Sequence, residues 1–117
     1  MIKVDEEGAG FSATLAPEEH VLRIVGYGFW SVDLAQRFSP MVRDAMRTAG
    51  NVSRLIFDFR DLKPLRDEGQ RGFADVLTTL RALPNLHVLV LTSSPLTKLQ
   101  LLRIVKEASY VGRIDFQ

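Results

Sequence analysis

Apolar and polar positions alternate over residues 11 to 15 (FSATL), and a more fully apolar run follows at 20 to 25 (HVLRIV). Alternation with period two predicts strands. Between the runs, Ala16-Pro17-Glu18-Glu19 is turn chemistry, because proline pre-sets a turn dihedral. Together they predict an antiparallel hairpin, to which Ile2 to Val4 adds a short edge segment.

Past Gly26-Tyr27-Gly28, which has the composition of a strand-to-helix turn, the apolar spacing becomes helical. Ala35, Phe38, Val42, Ala45 and Met46 mark a first helix, capped by Ser31 and closed by Gly50. Pro40 removes a backbone donor and crowds the preceding turn, so a kink near Ser39, or two short helices, is expected. Residues 54 to 59 (RLIFDF) read as a second buried strand. A second helix starts around Asp67 or Glu68, places Phe73, Val76, Leu77 and Leu80 on one face, and stops at Pro84-Asn85. Residues 86 to 91 (LHVLVL) are apolar on both faces, which predicts a central parallel strand with helices on both sides. Ser94-Pro95 opens a third helix running to about Ser109, and Arg113 to Phe116 form a last edge strand.

Strands joined through helices are parallel, with right-handed crossovers. The expected architecture is an α/β mixed sheet of about five strands, with the hairpin at one side and three or four helices. One domain spans residues 1–117, since no linker, repeat or low-complexity segment divides the chain.

Composition narrows the function classes. Fifteen basic and fourteen acidic residues give a formal charge of +1, which offers no clustered basic surface for nucleic acid. The absence of cysteine removes disulfides, thiolate metal sites and cysteine nucleophiles. The acidic N-terminus (MIKVDEEGAG) has no signal-peptide core, and no apolar run approaches the roughly 20 residues that span a bilayer. A cytoplasmic location without membrane partners is expected.

Candidate chemistry is sparse. His20 and His87 each stand alone, without a second ligand at metal-binding spacing, and are expected to be packed or hydrogen-bonded. Asp58, Asp61, Asp67 and Glu68 would lie near one sheet edge, but Arg60, Lys63, Arg66 and Arg71 are interleaved with them. A solvated, salt-bridged loop is expected rather than a metal site. No nucleophile, base and orienter occur together, so neither a catalytic residue nor a cofactor is assigned. The third helix is apolar over more than one stripe: Leu96, Leu99, Leu101, Leu102, Ile104, Val105 and Ala108. Something should cover the excess, and a homodimer formed through this helix is the most economical cover.

Leu55-Ile56-Phe57-Asp58, followed after a short loop by Arg66-Asp67-Glu68-Gly69, resembles the STAS domain of anti-sigma-factor antagonists, including the SpoIIAA-like relatives. In that family a strand ending in aspartate leads into Asp-Ser-Ser-Gly at a helix N-terminus. Asp58 and Gly69 match the pattern; Arg66, Asp67 and Glu68 do not. In element order the resemblance covers residues 11 to 117. It implies a non-enzymatic module that binds a protein partner, of the anti-sigma or kinase type, around Asp58, Arg66, Asp67, Glu68, Gly69 and Arg71.

In the family's switching members, the resemblance implies, a kinase phosphorylates a serine at this helix start. Glu68 occupies that slot. A simpler reading makes Asp67 the N-cap, with Gln70 completing a capping box and Glu68 answering the helix dipole. Either reading removes the phosphorylation switch from this site. The alternative function is a carrier of a lipid-like ligand, with an apolar pocket formed by Trp30, Phe38, Leu101 and Val105.

Overall fold

The computed structural model describes residues 2–117. Three antiparallel strands come first: β1 (Ile2–Glu6), β2 (Ala9–Ala16) and β3 (Val21–Gly28). The turn between β2 and β3 is a single 3₁₀ turn at Pro17–Glu19. Helices and parallel strands then alternate as α1 (Val32–Ala49), β4 (Arg54–Leu62), α2 (Asp67–Leu80), β5 (His87–Thr92), α3 (Pro95–Glu107) and β6 (Arg113–Phe116). The expected edge segment at the N-terminus is a full strand, so the sheet has six strands rather than five, with three helices.

Strand order across the sheet is β1-β2-β3-β4-β5-β6, identical to the order along the chain. Each right-handed crossover therefore steps in the same direction, and α1, α2 and α3 line up side by side on one face. This corrects the expectation for residues 86 to 91. Val88 and Val90 are buried beneath the helices, whereas His87, Leu89 and Leu91 point to a face that no helix covers. Leu89 stays dry because Ile56 and Asp115 flank it on the neighbouring strands.

The covered face is packed with rings. Phe11, Phe38, Phe57, Phe59 and Phe73 are all fully buried, and the Trp30 ring packs at a tilt with its centre 4.8 Å from that of Phe38. Gly26 is explained by this cluster and not by a turn, since a side chain there would meet the Phe59 ring at 2.9 Å and Trp30 at 3.0 Å. Gly28 does need its backbone freedom, at φ +74°.

Of the two outcomes expected at Pro40, the split into two helices does not occur; α1 continues through it. Gln36 and Pro40 are both exposed. The Gln36 carbonyl, deprived of the Pro40 donor, therefore faces water, which satisfies it. The predicted caps Ser31 and Ser94 both hold, each side-chain oxygen accepting from the backbone N–H three residues on at 3.2 Å.

Candidate protein-binding site at the start of helix α2

β4 runs three residues further than its apolar pattern, to Leu62, before the chain leaves the sheet. The connection to α2 is fixed at several points. The Lys63 N–H donates to the Gly28 carbonyl at 3.0 Å. Thr97 of α3, itself buried, donates its hydroxyl to the Leu62 carbonyl at 3.2 Å. Gln100, one turn further along α3, grips Leu65 twice: its carbonyl oxygen accepts the Leu65 N–H at 2.7 Å and its amide donates to the Leu65 oxygen at 3.0 Å. Gln70 adds a second donor to that oxygen, also at 3.0 Å. A backbone so fully paired has little freedom to rearrange.

The helix begins at Asp67, with Arg66 at the cap position and no side chain accepting from the first-turn amides. The capping-box expectation is therefore corrected. Asp67 is already helical, and Gln70 reaches back to Leu65 instead. Asp67 and Glu68 still place two carboxylates in the first turn, where the unpaired amides and the helix dipole favour negative charge. Gly69 is buried; a side chain there would meet Leu65 at 2.9 Å, so the loop and the helix close on each other at this point.

Asp67 and Glu68 do not act as a pair. Asp67 lines a groove between α2 and α3, of about 530 Å³, together with Gln70, Arg71, Arg103 and Glu107. Glu68 lines a smaller groove between α1 and α2, of about 320 Å³, with Ser39, Arg43 and Arg71. Arg71 borders both grooves. It approaches Glu68 only to 3.9 Å, while Arg103 donates to Gln70 at 2.5 Å and reaches Glu107 at 3.2 Å. On the outer side, the Arg66 guanidinium lies over the exposed Phe29 ring, 5.0 Å from its centre.

Asp58 belongs elsewhere. It points to the open face of the sheet, where it accepts from Arg23 at 2.5 Å and from both the side-chain Nε and a terminal nitrogen of Arg60 at 2.9 and 2.7 Å. These bonds, Arg60 foremost, outweigh burial and hold its carboxyl down at about 2. Of the six residues expected to form one partner surface, the structure brings together Arg66, Asp67, Glu68, Gly69 and Arg71 and sets Asp58 apart. The proposed apolar pocket is likewise not assembled. Trp30, Phe38 and Leu101 are buried core, and the Trp30 ring nitrogen donates to the Gly10 carbonyl at 2.9 Å. Val105 is partly buried on α3 against the same core. Among the described residues no group of three or more histidine, aspartate or glutamate side chains is placed to hold a metal ion.

Sequence reasoning passed over Thr97, Gln100 and Arg103, and gave Gln70 a capping role in place of its bond to Leu65. A signal existed for the first two. They are uncharged polar residues one turn apart on α3, and such residues, when buried, usually satisfy a neighbouring backbone.

A six-stranded mixed sheet with three helices on one face, whose middle strand leads through a short loop to an acidic helix start, is a STAS-like fold. The solved structure described as that of the anti-sigma factor antagonist SpoIIAA in its unphosphorylated form matches it with a TM-score of 0.65 over 92% of this chain and 88% of that one. The two sequences are 14% identical. Neither the protein-family models nor the curated protein sequences give a match. No described helix is long and apolar enough to cross a membrane.

Proposed function

We propose that this chain is a non-catalytic STAS-like module that binds a partner protein with the first turn of α2 and the two grooves beside it. Its negative charge there is built in rather than added by phosphorylation. Glu68 carries the proposal. It is the second residue of α2, partly exposed, and it stands in the slot where the STAS resemblance puts a phosphorylated serine. A carboxylate at a helix start interacts favourably with the dipole, although its single charge imitates phosphate poorly.

Arg71 borders both grooves and is held only loosely by Glu68, so it would meet an acidic group of the partner while a basic group meets Glu68. A cytoplasmic regulator of the anti-sigma or kinase type fits the resemblance. A photo-reactive amino acid placed at Arg71 or Arg103 tests the site in the host cell. We expect both positions to cross-link one protein, and the same substitution at Arg54, on the open sheet face, to leave it unlabelled. Cross-linking from Arg54 but from neither groove position would overturn the assignment.

A further inference from the structure

The β6 margin of the sheet carries two features that the partner site leaves unused. The first is an unpaired backbone edge. Gln117 donates its N–H to the Val90 carbonyl at 2.8 Å and accepts from Thr92 at 2.9 Å, so its backbone faces β5. Directions alternate along a strand, so Asp115 and Arg113 also face β5, while Ile114 and Phe116 present their N–H and carbonyl groups outward. The second feature is the exposed side of α3. Arg103, Ile104, Glu107 and Ala108 line the groove toward α2. Leu102, Val105 and Lys98 lie on the opposite side of the helix, at 100° per residue, and therefore above the β6 edge. Of the exposed leucines of α3, Leu102 (39% exposed) lies on this side and Leu99 (63%) on the adjoining outer face, on a helix whose buried stripe is already satisfied.

We propose that a second copy of this chain docks here about a two-fold axis, with β6 pairing antiparallel to β6 and α3 packing on α3. The register follows from charge. With the axis at Ile114, each Ile114 forms a hydrogen-bonded pair with Ile114 of the partner subunit, and Phe116 pairs with Gly112 of the partner subunit. Arg113 and Asp115, both on the open face of the sheet, then each sit opposite the other residue type in the partner, giving two cross-strand ion pairs at the close spacing of a non-hydrogen-bonded pair. Moving the axis by one residue, to Asp115, would set that carboxylate against its own copy. Above the paired strands Leu99 and Leu102 of the two copies cover each other, which accounts for side chains that a monomer leaves in water. β1 also alternates a basic and an acidic residue, Lys3 and Asp5, but no comparable row of exposed leucines flanks it. The α2 grooves lie on the other side of α3 and stay open in the dimer.

Charge swapping tests the register directly by sedimentation. The unaltered chain should associate to a dimer at micromolar to millimolar concentration. Arg113→Asp alone and Asp115→Arg alone should each weaken association at least tenfold, since each creates like-charged pairs. The two single variants mixed together should restore it as a heterodimer, as should the double variant R113D/D115R. Leu102→Glu should abolish association, and Lys3→Asp should leave it unchanged. A chain that remains monomeric at roughly millimolar concentration, single variants that associate normally, or a mixture that fails to recover would each overturn the proposal. Loss of association on Lys3→Asp would do the same.

Discussion

Asp58 and Glu68 stand ten residues apart on one connection of the chain, yet the fold treats the two carboxylates in opposite ways. Asp58 lies on the open face of the sheet and is clasped by Arg23 and Arg60, with little exposure. Glu68 lies on the helical side, touches Arg71 only at the limit of an ion pair, and borders an open groove. A charge whose bonding is complete within the protein has nothing left to offer a partner. Asp58, which matches the STAS pattern, is thus held within the protein, whereas Glu68, which departs from it, keeps its carboxylate largely unpaired.

The contrast rests on the covered face being the part of the molecule that holds it together. Truncating Phe38, which is fully buried and packed among Phe11, Trp30, Phe57 and Phe59, should have the largest effect. Phe38→Ala should cost about 3–5 kcal/mol, measured as a shift in the midpoint of chemical denaturation at unchanged slope. A loss of under about 1 kcal/mol would mean that the ring cluster is loosely packed and has room for a ligand after all.

Breaking the clasp on the open face should cost less and should depend on pH. The Asp58 carboxyl titrates at about 2 in the folded chain against an ordinary value of 3.8. Its folded value is the lower one, so its contribution is complete above the ordinary value and disappears as the pH falls toward 2. The shift corresponds to roughly 2 kcal/mol. Asp58→Asn should lose about that much at neutral pH and leave Arg23 and Arg60 without their partner. The difference from the parent chain should shrink steadily between about pH 4 and pH 2. A pH-independent difference would mean that Asp58 acts through packing and not through charge.

Much of this contrast was legible in the sequence, and the unread part has physical causes. Local signals held: the alternating hairpin, the apolar strand with Asp58 at its end, and the Ser31 and Ser94 caps. What failed depends on neighbours in space. The both-sided apolarity of residues 86 to 91 suggested two layers of helices. Strand order decides that question instead, and periodicity within one strand carries no strand order. Pro40 pointed to a kink or a split, and the split does not occur because the missing bond belongs to an exposed turn of the helix. Asp67 looked like a cap because aspartate is a good one, whereas the loop already has its partners in α3. That last pairing, across 35 residues of chain, leaves no local trace.

Those α3 contacts can be cut one at a time. Thr97→Val keeps the shape but leaves the buried Leu62 carbonyl without a donor, and should cost about 1–2 kcal/mol. Gln100→Ala frees the Leu65 N–H, whose hydrogen exchange should then become much faster while exchange in β4 is unchanged. Exchange that speeds up equally in both places would show that the junction melts only with the whole sheet, and that its rigidity is not supplied by α3.

The smallest effect should come from the residue given the functional role. Glu68 has no strong ion pair, and its interaction with the helix dipole is worth a few tenths of a kcal/mol at a solvated helix start. Serine at the second helical position loses that interaction without leaving a buried group unpaired. Glu68→Ser should therefore change unfolding free energy by less than about 0.5 kcal/mol. Cross-linking to the partner from Arg71 should nonetheless fall sharply, because the fixed charge is gone. A stability loss of several kcal/mol would show that the carboxylate is buried and paired, in the manner of Asp58. The difference between the two carboxylates, and the binding role that rests on it, would then collapse.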